Sequence, residues 1–167
     1  MPGADEILQN SRKAREKAQQ LFPQEIWRET EERIFIAESR TPKSKNQQQT
    51  LEKELIQARI LVRHGSAVYL LPESSYEDGK KHPDAIVNEY VMEFKTITGN
   101  IREVEKRFKE SRLKADSVFF KIDSHLSKEE VIRKLKVVII QKAYKNGKVI
   151  AYFTENEKLY FWDVNDL

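Results

Sequence analysis

The chain has 167 residues, which suits one compact domain with an extension, and it carries 34% charged residues with a net charge of +3. So small a net charge does not indicate a globally basic nucleic-acid binder, and the lack of cysteine excludes disulfides and cysteine-ligated zinc. No apolar run approaches about 20 residues, and no secretory signal peptide is visible. We therefore expect a cytoplasmic protein without membrane contact, whose function depends on how its charges are distributed.

The N-terminal part of the sequence predicts a helical extension. Residues 4–21 form a charged helical pattern with a thin apolar stripe, and residues 24–39 are expected to form a second helix. Residues 40–49 are polar and include a proline, so they are interpreted as a linker. These features predict an extension over residues 1–45 and a main domain over residues 46–167. The extension is also a candidate surface for a homodimer.

The main domain is expected to begin with a helix that buries a carboxylate. This helix would be capped by Thr50 and end at Gly65, and Glu54 falls among its apolar positions. A carboxylate on a buried face is either functional or paired with a nearby arginine, and the sequence leaves both alternatives open. A buried strand over residues 66–71 and a polar loop over residues 73–81 follow.

A β-hairpin then brings charged residues onto an apolar sheet. Its strands cover residues 84–87 and 90–97, and both are rich in β-branched and aromatic side chains. A two-residue turn at residues 88–89 would place Asp84 directly opposite Glu93. Like charges in such a cross-strand pair destabilise a sheet, which makes this pair unusual.

The hairpin pattern also predicts what surrounds the two carboxylates. Side chains alternate along a strand, so Lys95 projects on the same face as Glu93. Ile86 and Val91 share that face, which is therefore expected to be covered rather than solvated. Covered carboxylates need a cation, and oxygen ligands suit Mg²⁺ or Mn²⁺. The sequence thus predicts a divalent-metal site involving Asp84 and Glu93.

The remaining sequence predicts alternating helices and strands. A helix over residues 100–115 and a strand over 116–122 are followed by a helix from Ser127 to about Lys145, which begins with a capping box. Strands at 148–153 and 159–164 would form a C-terminal β-hairpin. The outward face of the first of these helices is basic. It supplies five candidate contacts for the phosphates of a nucleic acid: Arg102, Lys106, Arg107, Lys109 and Arg112.

From residue 50 the predicted elements follow the order αβββαβ, and the sequence contains Pro83-Asp84 followed by Glu93-Phe94-Lys95. This combination resembles the PD-(D/E)xK nuclease superfamily. More narrowly, residues 50–123 resemble the C-terminal nuclease domains of contact-dependent growth inhibition toxins, especially their tRNase branch, and related nucleases of mobile elements. The resemblance implies an α/β (α+β) fold with a restriction-endonuclease-like core, in which helices flank a mixed sheet.

The resemblance also implies a metal-dependent nuclease that acts on RNA, including tRNA, or on DNA. Asp84 and Glu93 would ligate Mg²⁺ or Mn²⁺, and Glu54 would be a third carboxylate ligand. Lys95 would orient the attacking water or stabilise charge in the transition state. A toxin of this kind would also have an immunity protein as its inhibitor.

Two alternatives stay open at the level of the sequence. The first is a metal-independent RNase domain of the barnase or EndoU type, which would cleave by general acid and base catalysis. The second is a catalytically inactive nuclease fold that binds nucleic acid or assembles with a partner. Resistance to a chelator would indicate the first, and binding without turnover would indicate the second.

Overall fold

A computed structural model describes residues 2–73 and 82–167 of the chain. Most of the polar loop predicted at residues 73–81 therefore lies outside the described residues. The chain divides into two compact units, Met1–Val91 and Met92–Leu167. The division into an extension over residues 1–45 and a main domain over residues 46–167 stays a prediction. No helix of the described part is both long enough and apolar enough to cross a bilayer.

The first unit combines two helices with a mixed sheet. Strands β1 and β2 pair antiparallel, β2 and β3 pair parallel, and β3 and β4 pair antiparallel. The elements of this unit are α1 (Ala4–Leu21), β1 (Trp27–Glu31), β2 (Ile34–Ala37), α2 (Lys45–Arg63), β3 (Val68–Leu70) and β4 (Ala85–Val87).

The prediction of a helix over residues 24–39 is wrong, because this segment forms the β1–β2 hairpin. Arg33 takes a left-handed backbone conformation with φ of 60°, which interrupts any helix and turns the chain between the two strands. Strand β2 then pairs in parallel with β3, with Ile34 opposite Val68. Pairing with the distant strand β3 therefore makes the apolar run at residues 34–37 a strand, although its spacing also fits a helix.

The next helix begins earlier than the sequence predicted. Ser44, rather than Thr50, caps α2, and its hydroxyl accepts a hydrogen bond from the Gln47 amide at 3.1 Å. Thr50 lies inside the helix and donates to the Asn46 carbonyl at 3.0 Å. The predicted end of the helix is confirmed, since α2 stops just before Gly65. The segment predicted as a linker thus contributes the first turns of α2.

Helix α1 is part of the core of the first unit. Its Ala14 and Ala18 are fully buried and pack in one cluster with Tyr69, Leu71 and Ile86. Small side chains on this helix allow its backbone to approach the sheet closely. The face that carries Ile86 is therefore covered, as the alternation along the hairpin predicted.

The two-residue turn after β4 is confirmed at Asn88 and Glu89. Asn88 has φ of 55°, and its side-chain oxygen accepts a hydrogen bond from the Ala67 amide at 3.0 Å. The Asn88 amide in turn donates to the Ala67 carbonyl, also at 3.0 Å. Asparagine tolerates this left-handed conformation, and here it also ties the turn to the residue that precedes β3.

The second unit is built on three parallel strands. Strands β5, β6 and β7 run parallel, and β8 pairs antiparallel with β7, which confirms the C-terminal hairpin. Strand β5 begins at Tyr90, two residues before the second unit starts at Met92. The elements are β5 (Tyr90–Ile97), α3 (Ile101–Arg112), β6 (Ser117–Ile122), α4 (Lys128–Lys142), β7 (Lys148–Phe153), β8 (Lys158–Asp163) and a short 3₁₀ turn (Val164–Asp166).

Both helices of the second unit begin with side-chain caps. Ser127 and Glu130 form the capping box predicted for α4, with Ser127 accepting from the Glu130 amide at 3.1 Å. Asn100 caps α3 by accepting from the Arg102 amide at 3.0 Å. The buried faces of these helices contribute to one core with the strands, in which Phe108 and Leu135 are completely buried.

Both units combine helices with a mixed sheet, which confirms the α/β (α+β) class. Along the chain, α2, β3, β4, β5, α3 and β6 follow the predicted order αβββαβ. The more specific assignment to a restriction-endonuclease-like core stays a prediction.

Candidate functional site

In the first unit, charged side chains collect around the guanidinium of Arg40. Its Nη1 and Nη2 donate to the two carboxylate oxygens of Glu54 at 2.8 and 2.7 Å, and the two side chains are only 5% and 8% exposed. Nη2 also lies 3.4 Å from the Glu73 carboxylate, and Nη1 lies 3.3 Å from the Leu71 carbonyl oxygen. We call Arg40, Glu54, Glu73 and Asp84 the Arg40 cluster, because Asp84 contributes to its electrostatics.

Burial and the neighbouring Arg40 shift the pKa of Glu54 in opposite directions. Burial is the main cause that raises the pKa of Glu54, and the hydrogen bonds from Arg40 lower it without cancelling that effect. The nearby carboxylates of Asp84 and Glu73 raise this pKa further. The prediction that Glu54 lies on the buried face of its helix is thus confirmed, and the arginine pairing left open by the sequence is present.

Arg40 remains a cation in spite of its burial. Burial alone would lower its pKa, but the hydrogen bonds to Glu54 and the charges of Glu54, Glu73 and Asp84 together raise the pKa above its usual value. Three carboxylates thus surround one guanidinium, so the Arg40 cluster has a formal charge of −2.

In the second unit, Glu93 lies between two lysines. It is only 2% exposed, and its Oε2 lies 3.7 Å from Nζ of both Lys95 and Lys114. Lys95 Nζ also lies 3.8 Å from a carboxylate oxygen of Glu110, which pairs with Arg107 at 3.2 Å. We call these five residues the Glu93 cluster. Its formal charge is +1, which suits the binding of a phosphate group.

Strand β5 and helix α3 position the Glu93 cluster. Glu93 and Lys95 are two residues apart on β5, so they project from the same face, as the sequence predicted. Glu110 lies in the last turn of α3, and Lys114 follows the end of that helix. The sequence analysis did not include Glu110 and Lys114 in the site, because only the fold brings the end of α3 close to Glu93.

The five basic residues predicted to contact phosphates have different surroundings. Arg102 and Lys106 are exposed, whereas Arg107 pairs with Glu110 and Lys109 lies 3.9 Å from Glu105. Arg112 has a structural role, because its Nη1 donates to the carbonyls of Asp116 at 2.6 Å and Asn146 at 2.5 Å. Its guanidinium also lies 4.5 Å from the ring centre of Tyr144. Phosphate binding by these residues stays a prediction.

The metal site was predicted from Glu54, Asp84 and Glu93. Over residues 2–73 and 82–167, no group of three or more Asp, Glu or His side chains has an arrangement that could hold a metal ion. The oxygen donors of the Arg40 cluster are of the kind that Mg²⁺ and Mn²⁺ prefer, but the Arg40 guanidinium engages both oxygens of Glu54. The pairing of Asp84 with Glu93 stays a prediction.

Comparisons with known proteins point to one solved complex. No protein-family model matches the chain, and no curated protein matches it. The structure is similar to a chain of the CdiA-CT/CdiI toxin and immunity complex from Burkholderia pseudomallei, with a TM-score of 0.52 and 22% sequence identity. The match covers 74% of this chain and 92% of the other. At this level of identity, the similarity shows a shared fold.

Proposed function

We propose that the chain is the nuclease domain of a toxin that hydrolyses phosphodiester bonds in RNA, including tRNA, or in DNA. The observation that carries the proposal is the buried Glu93 between two lysines on the strand that bears the Glu-Phe-Lys motif. The toxin assignment is supported by the fold shared with the toxin and immunity complex. Because that complex also contains an immunity protein, the proposal includes an immunity partner that blocks the activity in the cytoplasm.

In this proposal, Asp84 and Glu93 are metal ligands, Glu54 is a further ligand, and Mg²⁺ or Mn²⁺ is the cofactor. The bound ion would neutralise the scissile phosphate and lower the pKa of a water molecule. Lys95 would place its positive charge where negative charge develops on the phosphate oxygens. Lys114, at the same distance from Glu93, would supply a second cation to the phosphate. Exposed Arg102 and Lys106 would contact flanking phosphates, which carry no sequence information.

The first test compares two strand lysines in a cleavage assay with total tRNA and plasmid DNA. We expect Lys95→Met to lower the cleavage rate by about 10²- to 10³-fold, because it removes a charge that stabilises the transition state. Lys121→Met is the matched control. Lys121 lies on the neighbouring strand, is 19% exposed against 18% for Lys95, and also pairs with a carboxylate.

The register of the two strands makes this control informative. Lys95 is opposite Phe120, so Lys121 projects from the other face of the sheet. We therefore expect Lys121→Met to cleave at the wild-type rate. Equal losses of cleavage rate in the two variants would attribute the effect to reduced stability of the fold and contradict the role of Lys95. The substrate is whichever nucleic acid the wild-type protein degrades.

A second test addresses the metal. We expect cleavage to stop in excess EDTA, to return when Mg²⁺ or Mn²⁺ is added, and to be lost in Asp84→Asn and Glu93→Gln.

One observation favours the metal-independent RNase as a second candidate: Arg40 already engages both carboxylate oxygens of Glu54. In that candidate, Glu93 would act as the general base beside Lys95 and Lys114. Cleavage that persists in EDTA would select it.

A further inference from the structure

Helix α4 carries basic side chains that no acidic residue on its later turns balances. From Val131 to Thr154 the sequence contains six lysines and arginines and no aspartate or glutamate. The acidic residues of α4, Glu129 and Glu130, are confined to its first turn, where negative charge stabilises a helix. Five of the six basic residues lie on α4 or just after it, and we call them the α4 surface: Arg133, Lys134, Lys136, Lys142 and Lys145.

The charges of the α4 surface are not neutralised in the way that those of α3 are. Within residues 2–73 and 82–167, none of its five members forms an ion pair or a side-chain hydrogen bond, and all except Lys134 are exposed. On α3, by contrast, Arg107 and Lys109 pair with glutamates of the same helix, and Arg112 donates to backbone carbonyls. The α4 surface therefore presents five positive charges to a ligand.

The composition of the α4 surface fits phosphate groups better than it fits a protein. Interfaces between proteins are enriched in arginine and aromatic side chains and depleted of lysine. The α4 surface consists of four lysines and one arginine. Two apolar side chains of the same helix, Val137 and Ile140, are 42% and 79% exposed. They are too few for the apolar centre of a standard protein interface, which buries about 800 Å² on each partner.

The α4 surface continues toward the Glu93 cluster. Helices α3 and α4 each connect two neighbouring parallel strands, so their C-terminal ends lie at the same edge of the sheet. Arg112 at the end of α3 joins these ends, since it donates to the Asn146 carbonyl and lies 4.5 Å from the ring centre of Tyr144. Lys145, between these two contacts, is thus held near the end of α3, where Lys114 of the Glu93 cluster follows. A nucleic acid bound at the Glu93 cluster can therefore extend onto the α4 surface.

We propose that the α4 surface is a second binding site for nucleic acid, which holds phosphates of the substrate outside the Glu93 cluster. Its contacts are to phosphate groups, so they carry no sequence information and serve RNA and DNA alike. The inference rests on the nucleic-acid substrate of the proposed function, but it concerns binding of that substrate and not its cleavage. It adds α4 to the phosphate contacts predicted for α3.

The test measures binding of fluorescently labelled tRNA and of a labelled DNA duplex by fluorescence anisotropy. All proteins in this test also carry Lys95→Met, which keeps the probes intact. The α4 variant combines Arg133→Gln, Lys136→Gln and Lys142→Gln, and glutamine keeps a good helix propensity at each position. We expect its dissociation constants to rise by about 100-fold at about 0.1 M salt, because three phosphate contacts are lost. The slope of log K against log salt concentration should become shallower by about two.

The matched control combines Lys43→Gln, Lys45→Gln and Lys53→Gln. It removes the same net charge from three exposed lysines in and just before α2, and we expect it to bind both probes as tightly as the Lys95→Met protein does. In the cleavage assay with Lys95 intact, the α4 variant should show a raised KM at the wild-type kcat, because it loses binding that the ground state and the transition state share. Lys95→Met alone should instead lower kcat.

The outcomes separate this inference from the proposed function. Unchanged binding in the α4 variant would overturn the inference and indicate a protein partner for Val137 and Ile140, while the roles proposed for Glu93 and Lys95 would stand. Equal weakening in the two triple variants would reduce the effect to net charge and also overturn the inference. So would a lowered kcat at unchanged KM. Binding by the wild-type chain that the α4 variant loses, without cleavage of either nucleic acid, would support the inference and contradict the proposed hydrolysis.

Discussion

Removing the Glu54 carboxylate should destabilise the protein strongly, because it leaves the Arg40 guanidinium buried without its main partner. Breaking a buried ion pair from one side costs about 3–5 kcal/mol. Arg40 would keep Glu73 at 3.4 Å and the Leu71 carbonyl at 3.3 Å, so we expect a value near the lower limit, about 3 kcal/mol, for Glu54→Ala. This is a large part of the 5–15 kcal/mol that typically separates folded from unfolded proteins.

The double variant Arg40→Met with Glu54→Leu provides the decisive comparison. Both charges are then absent, and apolar side chains of similar size fill the space, so we expect a free energy of unfolding within about 1 kcal/mol of wild type. The control is Glu31→Ala. It breaks the exposed pair with Arg59, whose side chains are 39% and 50% exposed, and such pairs contribute about 0–1 kcal/mol.

The assay is urea denaturation followed by circular dichroism at pH 7. A loss below about 1 kcal/mol in Glu54→Ala would refute the reasoning, because it would show that the pair is not desolvated as its burial indicates. A double variant as unstable as the single one would also refute it. The result matters for function, since inactive Glu54→Ala protein can be interpreted as loss of a metal ligand only where it is still folded.

Two further predictions concern the second unit. Burial alone would raise the pKa of Asp123, but hydrogen bonds from Lys121 and Thr154 together with the charge of Lys121 lower it overall, so its carboxylate stabilises the fold above its usual pKa of about 3.9. In urea titrations from pH 7 to pH 2, the stability lost in Asp123→Asn should therefore shrink as the pH falls below about 4 through the lowered pKa, and a difference that persists to pH 2 would contradict this origin. Gly147→Ala should lower the free energy of unfolding by more than about 3 kcal/mol, because φ is +125° and the new Cβ would clash with the Asp116 carbonyl oxygen. Gly3→Ala, whose Cβ meets no atom within 4 Å, should cost less than about 1 kcal/mol, and similar melting temperatures for the two variants would contradict the prediction.

Elements determined by local interactions were predictable from the sequence. The capping box at Ser127 and Glu130 identified the start of α4, and its two hydrogen bonds are present. The turn at Asn88 followed from the change between two β-rich runs. The residues of the capping box lie three positions apart and the turn joins two adjacent runs, so the sequence contains most of what locates them, although the contacts of Asn88 with Ala67 were not predicted.

Elements determined by distant partners were not predictable in the same way. Strand β2 exists because it pairs with β3, more than 30 residues further along the chain, and its apolar spacing alone fitted a helix. The sequence predicted that Glu54 is buried and left open an arginine as its partner. It did not identify Arg40 as that partner, because the two residues are brought together only by the fold. That residue lies in a segment whose composition indicates a linker, and only the fold brings it to α2.

The distribution of the two tryptophans gives the protein a fluorescent reporter in each compact unit. Trp27 belongs to the aromatic cluster of the first unit, 5.1 Å from Tyr69, and Trp162 stacks on Tyr160 in the second. With either tryptophan replaced by phenylalanine, the emission of the other follows the unfolding of one unit alone. Coincident denaturation curves would identify a single cooperative transition, whereas separate midpoints would resolve the stabilities of the two halves. The natural sequence thus already contains the labels needed to assign each energetic effect to its own unit.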